Sequence, residues 1–239
     1  MNLKMISLST LLPLFLSSCL FWGNCEEGKG PVVEKTIEVK NFEELELSGS
    51  HTVYLSQGNT QSVKIKAQEN LIELLNTQVE GGEWDIHFKK CVKSKEKIEF
   101  YVTVPNLNEI AIEGSGEIIG KTPFESDKME LEISGSGEIH VELVNVKELD
   151  SEINGSGDLK LSGTTKNHEI EINGSGDVDA YDLQTDNTKV EINGSGDVKI
   201  NVSYELNVEV NGSGDVYYKG DVKNIHTEVN GSGEINQAN

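Results

Sequence analysis

A Gly-Ser-Gly triplet recurs through the second half of the sequence at a nearly fixed interval. Its seven copies begin at Gly114, Gly135, Gly155, Gly174, Gly194, Gly212 and Gly231. The intervals between them are 21, 20, 19, 20, 18 and 19 residues. A period of this length is typical of proteins built from stacked repeats, in which each repeat buries its apolar side against its neighbours.

Apolar and polar residues alternate on both sides of every triplet. Two residues before the first glycine the side chain is Ile or Val, and four residues after it the side chain is Ile, Leu or Val. Asn directly precedes five of the triplets, and Asp or Glu directly follows all seven. A period of two predicts strands that bury one face and expose the other.

We therefore predict an all-β fold, a single-stranded right-handed parallel β-helix (β-solenoid) with about 19–20 residues per repeat. The paired glycines, which lack a Cβ atom, allow a sharp bend or the close approach of a neighbouring coil. Residues 114–239 would form the regular repeats. Residues 33–113 alternate less regularly and would form irregular rungs with an N-terminal cover, including a worn copy of the repeat at Gly49 and a short helical turn within 69–75.

Stacking in register places like residues above one another. The asparagines before the triplets would form a ladder that hydrogen-bonds from rung to rung. The acidic residues after the triplets would also form a ladder, and its aspartates are Asp158, Asp177, Asp197 and Asp215. Two interpretations of this ladder remain open. Its oxygens could hold Ca²⁺, or they could face solvent and accept hydrogen bonds from nearby backbone N–H groups.

The N-terminus has the features of an exported protein. Residues 1–18 combine a lysine, an apolar run and small residues, which is typical of a signal peptide. The segment Leu16-Ser17-Ser18-Cys19 resembles the bacterial lipobox, which implies lipidation of Cys19 and a tether over 19–32. The alternative is an ordinary signal peptide with an incidental cysteine.

Two further cysteines, Cys25 and Cys91, would remain after lipidation. In an exported protein they could form a disulfide, which would fasten the tether to the first part of the fold. The alternative is a pair of separate thiols.

The charge of the chain excludes nucleic acid as a partner. Its 41 acidic residues outnumber 20 lysines, there is no arginine, and the net charge is −21. Nucleic-acid binders need a basic surface and favour arginine. Five lysines cluster within residues 89–97. This cluster is either a solvated turn or a patch that meets anionic lipid or the acidic solenoid of another copy.

The sequence offers no catalytic residues. The five histidines are far apart and share no repeat position, and the repeated serine has no recurring histidine partner. Some β-helices cleave polysaccharides with carboxylate pairs, but the short repeats here have few aromatic residues to form a sugar-binding cleft.

The sequence from Phe42 onward resembles the putative auto-transporter adhesin, head GIN domain family of Bacteroidota-type bacteria. The residues that carry the resemblance are Leu45-Glu46-Leu47-Ser48-Gly49, Val79-Glu80-Gly81-Gly82, Val102-Thr103-Val104-Pro105 and the Ile-Asn-Gly-Ser-Gly-Asp copies. The resemblance implies a right-handed β-helix over 33–239 and an exported envelope protein, often a lipoprotein. It supplies no site residues.

These observations predict a non-enzymatic lipoprotein of the cell envelope, anchored to the outer membrane on a side that the sequence does not decide. It would bind protein or glycan partners through its polar and acidic ladders. No cofactor is expected, except for Ca²⁺ if the acidic ladder binds this ion. The alternatives are a structural periplasmic protein that self-associates as a homo-oligomer, and a carbohydrate-active enzyme.

Overall fold

The computed structural model describes residues 25–238. Of these residues, 67% are in strands and 2% are in a helix, and they wind into a β-solenoid of about 6 turns, which confirms the predicted fold class. The signal peptide at 1–18 and the lipidation site at Cys19 lie outside the described residues. Within the described residues, no helix has the length and apolarity needed to cross a membrane.

The N-terminal part contains ten strands and a single helical turn. They are β1 (Glu26–Glu27), β2 (Val32–Ile37), β3 (Glu44–Gly49), β4 (Thr52–Gln57), β5 (Ser62–Gln68), α1 (Glu69–Ile72), β6 (Glu83–Ile86), β7 (Val92–Lys93), β8 (Glu99–Val104), β9 (Glu109–Gly114) and β10 (Glu117–Gly120).

The repeats contain eight strands of unequal length, which together form the coils of the solenoid. They are β11 (Lys128–Gly135), β12 (Glu138–Gly155), β13 (Asp158–Gly174), β14 (Asp177–Gly194), β15 (Val198–Gly212), β16 (Val216–Lys219), β17 (Asn224–Gly231) and β18 (Ile235–Gln237).

The repeats stack in parallel and in register at the Gly-Ser-Gly corner. Each triplet's first glycine lies beside the first glycine of the next coil, from Gly114 through Gly231. Gly49 lies beside Gly114 in the same register, so the incomplete copy of the repeat at Gly49 also forms a coil of the solenoid. The repeats differ in length, and the extra residues lie away from this corner. For example, the pairing register of β14 with β15 shifts between Ala180 and Gln184.

The apolar positions of the repeat line the interior of the solenoid. The Ile or Val two residues before each triplet is at most 1% exposed from Ile112 to Val210. Removing each such side chain from water contributes about 1.5–3 kcal/mol. The same position in the last coil, Val229, is 39% exposed, because no further coil covers it in the described chain.

The first part of the chain covers the opposite end of the solenoid. β4 and β8 pair in parallel, whereas β5 pairs antiparallel with both β8 and β2. Trp84 and Phe100 are fully buried beneath this cover. The helical turn α1 lies within the segment where the sequence predicts one, and it buries Leu71 and Ile72.

Candidate functional site

The asparagines before the triplets form the predicted ladder. Each Nδ2 donates to the Oδ1 of the asparagine in the preceding coil at 3.1–3.2 Å, from Asn173 to Asn230. The same Nδ2 also donates to a glutamate two residues earlier in its own strand, as Asn173 does to Glu171 at 2.8 Å. We call the five residues Asn154, Asn173, Asn193, Asn211 and Asn230 the asparagine ladder.

The glutamates that accept these bonds form a second row beside the asparagine ladder. This glutamate row comprises Glu152, Glu171, Glu191, Glu209 and Glu228. Each carboxylate uses one oxygen to accept from asparagine. The structure therefore presents a regular array of partly satisfied carboxylates on one outer face of the solenoid.

The acidic ladder lies on the other side of the Gly-Ser-Gly corner. Asp177 accepts a hydrogen bond at Oδ1 from the backbone N–H of Asp197 at 2.8 Å, and Asp197 accepts one from Asp215 at 3.0 Å. Asp215 accepts in turn from the backbone N–H of Glu234 at 2.8 Å. The carboxylates of Asp177, Asp197 and Asp215 thus each accept a hydrogen bond from the backbone of the next coil.

Within the acidic ladder, the environment of Asp158 disfavours its charged form. Burial, followed by the nearby charge of Asp177, raises the pKa of Asp158. In residues 25–238, no group of three or more His, Cys, Asp or Glu side chains is arranged to hold a metal ion. Calcium binding by the aspartates of the ladder stays a prediction that these geometries do not test.

The glycines make the corner narrow enough for these ladders to form. Gly174 has a φ of +143°, and a Cβ atom built on it would lie 2.2 Å from the carbonyl oxygen of Gly155. At the second glycine of the triplet, a Cβ on Gly176 would lie 2.5 Å from the carbonyl oxygen of Gly157. Both glycines are therefore required by close approach of the neighbouring coil.

Cys25 and Cys91 form a disulfide at the edge of the cover. The short strands β1 and β7 pair in parallel beside it, and Glu26 donates its backbone N–H to the carbonyl of Cys91. Two lysines, Lys29 and Lys90, contact the Glu26 carboxylate at 3.0 and 3.2 Å. The disulfide thus joins the residue before β1 to the residue before β7 at the edge of the cover.

One histidine lies inside the solenoid, which the sequence did not predict. His168 is 2% exposed, and its Nε2 lies 3.0 Å from the hydroxyl of Ser151. Burial lowers the pKa of His168 to about 3. Because both residues occupy apolar positions of the alternating pattern, that pattern was the one signal that could have located them.

A groove near the cover is a further feature that the sequence did not reveal. It has a volume of about 620 Å³ and crosses the neighbouring strands β4, β8 and β5. Tyr54 and Tyr101 form one wall, with their ring centroids 5.0 Å apart. The Lys121 ammonium lies 4.5 Å from the centroid of Tyr54. Their alternating positions in two strands were the only hint of this arrangement, because strand pairing had to bring them together.

Comparison with known proteins gives one family match. Residues 41–222 match the family described as "Putative auto-transporter adhesin, head GIN domain". No curated protein matches the chain.

Several solved structures share the fold. A "putative adhesin" from Bacteroides fragilis NCTC 9343 is 22% identical, with a TM-score of 0.83 over 89% of this chain and 99% of that one. A "putative lipid binding protein" from Parabacteroides distasonis ATCC 8503 is 22% identical, with a TM-score of 0.69 over 89% and 99%. A "putative adhesin" from Parabacteroides merdae ATCC 43184 is 21% identical, with a TM-score of 0.68 over 89% and 98%. At these identities the similarity shows the fold alone.

Proposed function

Because the chain belongs to the "Putative auto-transporter adhesin, head GIN domain" family, we propose that it is a non-enzymatic, adhesin-like binding module of the cell envelope. Its partners would be proteins or glycans. The family description favours adhesion over catalysis, and the sequence offers no catalytic group that would support the enzyme alternative.

The observation that carries this proposal is the glutamate row beside the asparagine ladder. Its residues are spaced by the distance between neighbouring strands, about 4.8 Å, and they extend along one side of the solenoid. Hydrogen bonds to asparagine hold the carboxylates in place, so little side-chain entropy is lost when a partner binds. A repeated array of this kind suits a partner that is itself long or repetitive.

We place the module on a lipid anchor. In this proposal residues 1–18 are a lipoprotein signal peptide, Cys19 is lipidated, 19–32 form the tether and 33–239 form the solenoid. The anchor would hold the protein at the outer membrane. Incorporation of labelled palmitate into the protein, and its loss in Cys19→Ala, would support the anchor; equal labelling of both would contradict it.

Protease shaving and antibody labelling of intact cells test the adhesin role, with lysed cells as the control. Labelling of intact cells would place the solenoid outside and support adhesion. Labelling only after lysis would contradict adhesion to other cells and favour a partner within the envelope.

A matched pair of variants tests whether the glutamate row carries the binding. Beads coated with the protein would be assayed for attachment to surfaces bearing extracellular-matrix proteins and mucin glycans. The triple variant Glu171→Gln, Glu191→Gln, Glu209→Gln keeps the shape of the row and removes three charges. We expect it to lose attachment, whereas the control Glu73→Gln, Glu96→Gln, Glu125→Gln, which changes three glutamates outside the row, should retain it.

A second candidate function, a structural protein of the envelope that self-associates, is favoured by the last coil. Every residue of β17 is exposed, and Ile225 and Val229 are 42% and 39% exposed although they occupy inward positions. Exposed strand edges of this kind pair readily with other chains. Sedimentation of the protein, alone and with Val229→Lys, tests this: an oligomer that the variant disrupts supports self-association, and a monomer contradicts it.

A further inference from the structure

The groove beside Tyr54 and Tyr101 has a floor of hydroxyl groups. Ser56 in β4 lies beside Thr103 in β8, and Thr103 lies beside Ser62 in β5. The three side chains thus form a row across three neighbouring strands. Within residues 25–238, no hydrogen bond joins these hydroxyls to another protein group. They are free to donate to and accept from a ligand.

This freedom distinguishes the groove from the ladders. In the asparagine ladder and the glutamate row, polar side chains already bond one another. The groove is the opposite arrangement, since it combines unpaired hydroxyls with a wall of aromatic rings. Its volume of about 620 Å³ lies within the usual range for small-ligand sites.

The aromatic wall offers a surface for an apolar ring face. The Tyr54 and Tyr101 rings are stacked, with an angle of 29° between their planes. Tyr54 is enclosed between Tyr101 and the Lys121 ammonium. Tyr101 is 37% exposed and is the ring available to a ligand. A pyranose ring has an apolar C–H face and a rim of hydroxyls, which matches an aromatic wall above a hydroxyl floor.

The charge of the groove favours an acidic sugar. Lys121 forms no ion pair with a carboxylate in the described part of the chain, and it lies at one end of the hydroxyl row. At the other end, Lys64 contacts Glu34 at 3.1 Å, with both side chains about half exposed. The Lys121 ammonium contacts the Tyr54 ring but has no carboxylate partner there, so in a chain of net charge −21 it is suited to accept a single carboxylate from a ligand.

A peptide strand fits this surface less well than a sugar. β4, β8 and β5 are interior strands, each paired on both sides, so they offer no free backbone edge for strand addition. Beside the tyrosine rings the groove presents three hydroxyls and two lysines, which suit the hydroxyls and the carboxylate of an acidic sugar.

We infer that this groove binds a segment of an acidic polysaccharide, with a sugar ring against Tyr101, its hydroxyls on Ser56, Ser62 and Thr103, and its carboxylate on Lys121. The inference rests on the proposed binding function, since it names one ligand class for the module. It concerns a different surface from the glutamate row, so the two are separable by experiment.

Binding of oligogalacturonate, which carries a carboxylate on each ring, tests the inference with the full chain in detergent. Calorimetry should detect saturable binding, with weaker binding of an uncharged oligosaccharide such as dextran. Tyr101→Ala should weaken binding about tenfold, as expected for loss of a ring contact of about 1.4 kcal/mol. Lys121→Gln should reduce the preference for the acidic over the uncharged sugar.

Thr103→Val serves as a second test variant in case Tyr101→Ala fails to fold. It keeps the shape of the side chain and removes its hydroxyl. We expect it to weaken binding while leaving the thermal unfolding temperature nearly unchanged. The matched controls are Tyr204→Ala and Lys199→Gln, an exposed tyrosine and an exposed lysine on other coils. Both should bind like the unaltered protein.

Three outcomes would overturn the inference. They are no saturable binding of any acidic oligosaccharide tested, binding that Tyr101→Ala and Thr103→Val leave unchanged, and equal binding of polyglutamate, which would show that charge alone suffices. Binding of phosphatidylglycerol vesicles in place of sugars would assign the groove to a lipid headgroup. Bead attachment that depends on the glutamate row would survive each of these outcomes, so the failure of the groove and the failure of the proposed function are distinguishable.

Discussion

At the scale of single residues, the first glycine of each triplet is the most constrained position in a coil. Gly174→Ala would place a Cβ atom 2.2 Å from the carbonyl oxygen of Gly155 at a φ of +143°. Because backbone cannot move aside cheaply, we expect the free energy of unfolding to fall by about 2–4 kcal/mol. Urea denaturation followed by circular dichroism measures this change.

Ser175→Ala provides the matched control for this substitution. Ser175 lies between the two glycines and is exposed, and its backbone N–H rather than its hydroxyl bonds Gly155. Its replacement should change the free energy of unfolding by less than about 0.5 kcal/mol. Equal effects of the two substitutions would show that the coil tolerates a Cβ atom at the corner.

The buried histidine gives the solenoid a specific dependence on pH. Burial lowers the pKa of His168 to about 3, whereas an unfolded histidine titrates near about 6.5. Between these values the unfolded state binds the additional proton. The contribution of His168 is therefore fully present above the unfolded pKa and is lost as the pH falls toward the folded one, by at most about 1.4 kcal/mol per pH unit.

His168→Leu should remove this loss, since Leu149 occupies the same inward position in the preceding coil. We expect the variant to gain stability relative to the unaltered protein as the pH falls from 7 toward 4, measured by urea denaturation at each pH. The exposed His226→Gln is the control. Acidic groups such as Glu46, whose pKa burial raises to about 7, act equally in all three proteins and cancel in the comparison. If the difference in the free energy of unfolding between the unaltered protein and His168→Leu did not change with pH, the histidine would not be buried in its uncharged form.

At the scale of strands and coils, much of the fold could be predicted because the repeat encodes it locally. Alternation around each triplet specified the inward faces, and register followed because only glycine tolerates the contact between Gly155 and Gly174. The same logic placed Gly49 in the stack, although its triplet is incomplete.

The cover and the groove were not predictable in the same way. Nothing in the alternation of residues 62–68 distinguishes an antiparallel strand from another parallel strand of the solenoid, and yet β5 pairs antiparallel with β8. Tyr54 and Tyr101 are 47 residues apart and meet only through the pairing of β4 with β8. Local pattern predicts which face of a strand is buried, but it does not predict which strands are neighbours once the repeat is lost.

At the scale of the whole molecule, the disulfide joins the first described residue to the part of the fold that lacks the repeat. The regular coils are stabilised by their neighbours on both sides, whereas the cover is an end structure with fewer such contacts. Cys25 and Cys91 are 66 residues apart, and the segment between them includes β2 to β6 and α1. The bond therefore restrains the unfolded form of the cover, where the solenoid begins.

Cys25→Ser with Cys91→Ser should lower the free energy of unfolding by about 4 kcal/mol, the value expected for opening a loop of 66 residues. The loss should begin at the cover. Hydrogen exchange should accelerate first in β2 and β5, while β13 and β14, in the middle of the stack, keep their protection. A reducing agent should reproduce the effect in the unaltered protein and leave the double variant unchanged. Uniform acceleration along the solenoid would instead show that cover and coils unfold as one unit, because a repeat array whose end and middle are tightly coupled cannot open from one end alone.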